Sequence, residues 1–571
     1  MGEKILAYTR RAAFAAASVI AAACSASAAE AEQGVFAHGV ASGDPLSDRV
    51  IIWTRVTPHM KSAALQINWR VATDPDLRNI VKRGRVKALA SRDYCVKIDV
   101  TGLRAGQVYY YGFQFGTQKS PIGRTSTTPA MAALGGEERL KIALVSCSNF
   151  PAGWFNVYQA IARRGDVDLV LHVGDYIYEY GPGEYATQFG KTVGRVPDPP
   201  HECLSLADYR RRHAQYRSDP DLQAAHACAP WLVTWDDHET SNDAYKDGAQ
   251  NHNPSTEGPW NARKAAALQA YYEWLPLRDP EPGKPFEAIN RSFDWGNLAS
   301  ITMLETRLLA RARPLDYATD IDMMTIKDAS GTSRQVPDLA GFKAKKLAAT
   351  DRELLGASQM AWLSATLQRS VEKGQRWQIL GNQVIMARVT SPNLSQGLPL
   401  PVREAIGKAR PEARAFFELS QYDVPFNLDA WDGYPVAREH LYQTAKAAGA
   451  RLVVCTGDTH AAWANTLKDG AGEVRGVEFG GTSVTSPSIA DSFKDFGLDG
   501  VALNRLIVEK NTEVQWHEET KRGFTLIEVS PDQVKGDFIE IDTIYSKTFL
   551  VSVGSSWQTN YADQPQPLTQ A

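Results

Sequence analysis

Lys141-Ile142-Ala143-Leu144-Val145-Ser146-Cys147-Ser148-Asn149 is a short apolar run that stops abruptly on small and polar residues. Apolar residues then recur at helical spacing from Trp154 to Arg164. A second apolar run, Leu169-Val170-Leu171-His172-Val173, ends in Gly174-Asp175-Tyr176-Ile177-Tyr178. Short unbroken runs of this kind read as buried strands. Strand, helix and strand at this spacing form a βαβ unit with a right-handed crossover. Further buried strands follow at Trp231-Leu232-Val233-Thr234-Trp235, Ser300-Ile301-Thr302-Met303-Leu304, Trp377-Gln378-Ile379-Leu380 and Leu452-Val453-Val454-Cys455, with helical segments between several of them. The pattern is that of an α/β layered domain.

The polar residues sit where these strands end. The first two runs lead into Cys147 and Asp175. Val233-Thr234-Trp235 leads into Asp236-Asp237-His238-Glu239, Ile379-Leu380 into Gly381-Asn382-Gln383, and Val453-Val454-Cys455 into Thr456-Gly457-Asp458-Thr459-His460. Ligands of α/β sheets bind outside the carboxyl ends of the strands, so these ends are expected to converge on one site. Taken singly each has a plainer explanation. Gly-Asp is a common turn, and Asp236-Asp237 suits a helix N-cap. Together they match a metal centre. Asp175 is placed to bridge two cations, and two cations roughly 3.5–4 Å apart can clamp a phosphate and activate water. A phenolate from Tyr178 and a thiolate from Cys147 favour a ferric ion, and His460 adds an imidazole. Asp237 and Asp458, with an amide oxygen from Asn242 or Asn382, suit a harder, oxygen-loving ion.

The chain has 571 residues and a formal net charge of −3. That length suggests two or three domains, and the near-neutral balance argues against a nucleic-acid-binding protein. Residues 1–29 read as a targeting segment: Lys4, Arg10 and Arg11, a small-residue apolar run from Ala12 to Ala23, and a cleavage region near Ala26-Ser27-Ala28. Arg10-Arg11 after Thr9, with Phe14 nearby, resembles a twin-arginine signal, which implies the export machinery as a partner and a periplasmic or secreted location. Cys24 after Ala21-Ala22-Ala23 is a weaker lipoprotein signal. No later apolar stretch approaches a membrane span. Residues 35–129 carry short β-branched and aromatic strands, with Thr101-Gly102-Leu103 preceding Tyr109-Tyr110-Tyr111. They read as an all-β sandwich of immunoglobulin or fibronectin type, the alternative being a β-extension of the next domain. Residues 130–138 read as a linker, 139–549 as the α/β domain, the polar stretch near 314–345 as an insertion, and 550–571 as a tail that frays from Gln564. Of the cysteines remaining after export, Cys203 and Cys228 flank a helix-like segment and are candidates for a disulfide.

The order Cys147, Gly174-Asp175-x-x-Tyr178, Asp236-Asp237-His238-Glu239, Gly381-Asn382-Gln383 and Gly457-Asp458-x-His460 resembles the PhoD-type alkaline phosphatases of the calcineurin-like metallophosphoesterase superfamily. Phe36-Ala37-His38-Gly39-Val40-Ala41-Ser42-Gly43-Asp44-Pro45, followed by Ile52-Trp53-Thr54-Arg55, is similar to their N-terminal β-domain. The resemblance spans about Val35 to Phe549. It implies a four-layer α/β/β/α sandwich, one Fe3+, two Ca2+, and hydrolysis of phosphomonoesters and phosphodiesters. Cys147, Asp175, Tyr178 and His460 would hold iron. Asp175, Asp458 and an asparagine, Asn242 ahead of Asn382, would hold calcium. Asp237 would be a metal or phosphate ligand beside Asp236, and His238 a candidate general acid. Asn382, Arg388 and Trp463 are lesser candidates for substrate contact, and Arg195, Arg210, Arg211 and Arg438 are further candidate phosphate-binding cations. The rivals are a phospholipase-type diesterase on the same metals, a purple acid phosphatase analogue with a transition-metal pair, and a non-catalytic calcium-stabilised surface-binding protein. Cys147 and Asp458 stand where the wider superfamily has histidine, which argues against the transition-metal pair.

Overall fold

The computed structural model describes residues 35–58, 62–132, 138–327 and 331–571. The expected targeting segment and Cys24 lie outside the described residues. Two large sheets dominate a mixed α/β fold. One runs in the order Thr569–Gln570, Val551–Asn560, Gln533–Ile541, Arg522–Val529, Leu140–Val145, Leu169–His172, Trp231–Val233, Val40–Gly43, Arg49–Arg55, Cys95–Thr101. The other runs Arg291–Trp295, Ala299–Met303, Trp377–Gly381, Leu452–Thr456, Val474–Gly480, Ala462–Lys468, Val514–Glu518.

Alternation along the central strands sorts the core. Leu144, Leu171 and Leu232 of the first sheet pack with Ile301, Ile379, Val453 and Phe479 of the second. Their neighbours Ala143, Val145, Val170 and Val233 face the other way, against Tyr158, Ile161, Leu222 and Leu268 from helices. On the far side of the second sheet, Leu380 and Val454 meet Leu363, Leu367, Leu441 and Leu503, again from helices. A strand covered on both faces carries apolar residues at both parities, which is why these segments read as continuous apolar runs.

The central strands are parallel within each sheet. Val145 and Val233 both register with His172, and Gly381 registers with both Met303 and Cys455. Their carboxyl ends therefore open on one edge. Gln383 ties the sheets together there: Nε2 donates to Thr234 Oγ1 at 2.8 Å and to Leu304 O at 2.9 Å, while Oε1 accepts from Thr306 at 2.6 Å. Gly457 N donates to the Gln383 carbonyl at 2.8 Å, so the Gly381-Asn382-Gln383 motif joins strand ends.

Two expectations need correction, and a third gains detail. The strands of residues 35–129 form two packed sheets, one of which continues the larger α/β sheet. Val40–Gly43 pairs in parallel with Trp231–Val233, and Arg49–Arg55 and Cys95–Thr101 follow it, so the ten-stranded sheet runs across the expected linker. A separate five-stranded sheet, including Ala64–Ala72, Ile80–Leu89 and Val108–Phe115, packs over those strands through Val50, Ile52, Ile67, Val71, Tyr109 and Tyr111. Tyr109 Oη accepts from Arg104 N at 2.9 Å, closing the strand corner. Residues 550–571 are not a frayed tail. Val551–Asn560 pairs along its length with Gln533–Ile541, and Leu568 is buried between the sheets. The alternation there had been hidden by serines and glutamines on the open face. Finally, Cys203 and Cys228 are both free thiols. Cys203 is fully buried, and burial pushes its thiol up to about 12, while Cys228 Sγ caps its own helix at Ala225 O. Leu568→Ala is expected to cost about 2–4 kcal/mol, read as a lower denaturation midpoint with unchanged metal content.

Candidate metal centre

The backbone at the strand ends is bent in an uncommon way. Cys147, Asp175, Asp458 and His460 all have left-handed φ, at 60°, 55°, 67° and 60°. Non-glycine residues rarely adopt that region, and clusters of them mark sites where the surrounding structure enforces the strain. The preceding glycines explain part of it. A Cβ on Gly174, at φ 119°, would lie 2.3 Å from Asp236 Cβ, and one on Gly457 would lie 2.5 Å from Ser146 Oγ. Each Gly-Asp pair therefore lets one strand end close onto another.

These turns bring the donors together. Tyr178 Oη donates to Asp175 Oδ2 at 3.0 Å and lies 3.0 Å from His460 Nε2, which is 3.9 Å from Asp175 Oδ2. His460 Nδ1 sits 2.8 Å from Pro487 O, so Nδ1 carries the proton and Nε2 keeps its lone pair for a metal. Three sets of ligand atoms each fall within 4.8 Å: Cys147 with Asp175 and His460, Asp175 with Asp237 and His238, and Asp236 with Asp237 and Asp458. Asp175 belongs to two sets and Asp237 to two, so the sets form a chain. The donors fit cations. Asp175 Oδ1 and Asp236 Oδ2 are buried with no hydrogen-bond partner, a costly arrangement that a coordinated ion would relieve. The sulfur, phenol and imidazole group at one end, and carboxylates at the other.

The chain matches the PhoD-like phosphatase family over residues 142–538, and the N-terminal domain of PhoD-like phosphatases over residues 21–129. The chain belongs to the PhoD-like phosphatase family. It is 35% identical over 515 residues to alkaline phosphatase D of Bacillus subtilis (strain 168), covering 88% of this chain and 77% of that protein. A solved structure of PhoD superposes with a TM-score of 0.74 at 32% identity, covering 95% of this chain and 92% of the other. This PhoD-like phosphatase is thus a phosphoester hydrolase, and the convergent strand ends are its candidate active site.

Side chains outside the sequence motifs' expected roles hold the centre in place. Glu239 is buried and accepts from Asp175 N at 3.0 Å, Asp236 N at 2.7 Å and Tyr176 N at 2.5 Å, so one carboxylate pins two motif loops. Glu179 accepts from Asn242 N at 2.8 Å and lies 2.8 Å from His238 Nδ1. Arg307 is fully buried and contacts Asp236, Asp429 and Asp458, the last at 3.1 Å, with Asp237 at 3.6 Å. It follows the strand Ala299–Met303, a sixth strand end whose Glu305-Thr306-Arg307 was legible but unread. Glu305 anchors that turn by accepting from the backbone N–H of Arg307 and Leu308, at 2.9 and 2.7 Å.

Several candidate residues lie elsewhere or are otherwise engaged. Asn382 donates to Val384 O at 2.6 Å and accepts from Trp431 Nε1 at 3.3 Å. Asn242 stands in the motif loop, where its amide nitrogen donates to Gln250 Oε1 at 2.8 Å and its backbone N–H to Glu179. Trp463 donates to Thr459 Oγ1 at 2.8 Å with its ring over His517, and so supports the His460 turn from beneath. Arg388 is bound by Glu513, Arg195 by Asp219, Arg210 by Glu273, Arg211 by Asp198 and Arg438 by Asp432. The guanidinium among the motif carboxylates is that of Arg307 instead.

Crowded charge governs protonation. Burial pushes the Cys147 thiol well up, and Asp175 adds to it. Burial, then Asp175 and Cys147, does the same to Tyr178. Burial raises Asp236 to about 8 against the pull of Arg307. It would raise Asp237 too, but Arg307, His238 and the Asp243 N–H hold that carboxyl at about 2. Burial alone would lower His238; Asp237, Glu179 and Asp175 outweigh it and raise it well above the usual imidazole value. In the metal-free centre burial thus favours the protonated forms of Cys147, Tyr178 and Asp236. Cations that need the ionised donors must displace those protons. Calorimetric titration of stripped protein in buffers of different ionisation enthalpy is expected to show proton release on metal uptake, and tighter uptake as pH rises. Glu239→Gln, which puts an N–H against backbone donors, is expected to cost about 2–3 kcal/mol and to lower metal content measured by elemental analysis.

Proposed function

We propose that the protein is an exported phosphoesterase that cleaves phosphomonoesters and phosphodiesters at neutral to alkaline pH, using one ferric ion and calcium. The observation that carries this reading is the mixed donor chain, in which Asp175 joins a Cys147–Tyr178–His460 set to a carboxylate set completed by Asp237, Asp236 and Asp458. Thiolate, phenolate and imidazole suit ferric iron, and carboxylate oxygens with Asn242 suit calcium. The bound cations would supply the Lewis acidity that lets water attack phosphorus at neutral pH.

The chain's own groups do the rest. Asp175 links the Cys147–His460 set to the middle set with His238, and Asp237 links that middle set to Asp236 and Asp458, so the two fix the spacing of the donor chain. His238 is held by Glu179 through Nδ1, which leaves Nε2 to pass a proton to the departing alcohol. Its raised pKa keeps that proton in place at neutral pH. Tyr178 and Tyr185 stack on each other with ring centres 5.9 Å apart, and Tyr178 lies 4.2 Å from His238, so aromatic rings cover one side of the acid and limit water there.

The finer architecture follows the same reading: a four-layer α/β/β/α catalytic sandwich from 139 through the terminal strands, an immunoglobulin-like pair of sheets over 35–129 of which one continues the catalytic sheet, and a twin-arginine leader over 1–29 that delivers the protein to the periplasm or medium. No helix among the described residues is long and apolar enough to cross a membrane. Replacing Arg10 and Arg11 by lysine is expected to leave the protein in the cytoplasmic fraction.

The direct test is phosphatase assay and elemental analysis of the protein as exported. Chelation is expected to abolish hydrolysis of p-nitrophenyl phosphate and calcium to restore it. Asp175→Ala is expected to lose about a thousandfold in kcat/KM. Tyrosinate on ferric iron absorbs visible light, so wild type is expected to be coloured and Tyr178→Phe bleached. A colourless iron-loaded wild type would remove Tyr178 from the ligand set.

A further inference from the structure

A cleft of about 400 Å³ lies beside the metal centre. Tyr185 and Pro487 form the wall between them. His460 Nδ1 is 2.8 Å from Pro487 O and 3.3 Å from Tyr185 Oη, which is itself 3.2 Å from that carbonyl. The opposite nitrogen of His460 faces Tyr178 and Asp175. The cleft therefore begins one ring beyond the donors, where an ester extending past its scissile phosphate would arrive.

Its lining has a definite chemistry. Phe189 and Tyr545 meet edge to face at 5.1 Å, and Tyr545 is 55% exposed. Arg410 and Lys494 are the cations of the lining, and Asp491 is its acid. The Asp491 carboxylate is already committed to Arg522 and to Ser488 N, which leaves the two cations without a free carboxylate among the described residues of the lining. Among the described residues no leucine, isoleucine or valine lines it, so it offers little to an acyl chain. Aromatic rings stack planar groups and guanidinium pairs with phosphate, and the volume is that of a small-ligand site.

We propose that this cleft binds the remote part of a nucleotide substrate, with the base against Phe189 and Tyr545 and a non-scissile phosphate at Arg410 and Lys494. The proposal rests on the phosphoesterase reading above and names its substrate class. The terminal phosphate of a nucleoside diphosphate would occupy the metal centre while the inner phosphate and base reach across Tyr185; water would add to the terminal phosphorus as its anhydride bond breaks, with the nucleoside monophosphate as leaving group.

The test compares ADP, AMP and glycerol 1-phosphate as substrates of the metal-loaded exported protein. Wild type is expected to show a KM for ADP about tenfold below that for glycerol 1-phosphate, the worth of one charge-assisted contact. Arg410→Ala with Lys494→Ala is expected to remove most of that preference through KM, leaving glycerol 1-phosphate within about twofold, and Arg410→Lys to restore part of it. Tyr545→Ala is expected to weaken ADP and AMP together. An ADP preference that survives the double substitution, an equal loss on all three substrates, or faster cleavage of phosphatidylcholine vesicles than of ADP would overturn the proposal. Calorimetric binding of ADP keeps the two readings apart. A protein inactive on every ester that still binds ADP through Arg410 fails only as an esterase, whereas an active enzyme with no Arg410-dependent binding fails only here.

Discussion

Asp237 holds ligand atoms within 4.8 Å of those of Asp175 on one side and of Asp236 and Asp458 on the other, and Asp175 and Asp458 sit at left-handed φ. Two like charges 4 Å apart repel by about 4 kcal/mol at the effective dielectric of a protein interior. A few such pairs rival the whole stability of a folded domain, about 5–15 kcal/mol. Positive charge at this edge is therefore a condition of the fold as well as of the chemistry. Arg307, buried among four carboxylates, supplies part of it. Protons on Asp236, Cys147 and Tyr178 supply more when no cation is bound. Metal ions would take over from the protons and leave the geometry intact.

The two sheets make that crowding tolerable. Their parallel central strands end together, and hydrogen bonds from Gln383, Glu239 and Glu305 stitch the turns so that repulsion cannot spread them. The strands of residues 35–129 that continue the ten-stranded sheet past Trp231–Val233 give the same edge a broader footing. The strands Val551–Asn560 and Thr569–Gln570 close the other end.

Much of this was legible in the residues. The unbroken apolar runs announced strands covered on both faces, and the polar residues after them announced a shared edge. Cys147, Asp175, Tyr178, Asp237, Asp458 and His460 meet because each follows such a run. Less legible were residues whose roles depend on three-dimensional neighbours. Arg307 stood after a recognised strand, but nothing local distinguishes a charge-balancing arginine from a surface one. Glu239 read as part of a motif without showing that it binds backbone rather than metal. Arg388 was chosen for its charge, yet Glu513 had already claimed it. The terminal strand was hard to read because its alternation breaks at Gly554, where a register shift puts Val551 and Val553 on one face and Ser555 and Trp557 on the other. The cysteine pair failed for a similar reason, since nearness in sequence says nothing of the direction in which two thiols point.

The central claim is that separate loop tips share the same cations. Anomalous diffraction from crystals of the exported protein, recorded on both sides of the iron absorption edge, tests it most directly. The account expects an iron peak at bonding distance, about 2.0–2.4 Å, from Cys147 Sγ, Asp175, Tyr178 Oη and His460 Nε2, with a lighter ion beside it on Asp175 and Asp237. Iron located elsewhere, or ions that touch only one of these loops, would contradict it.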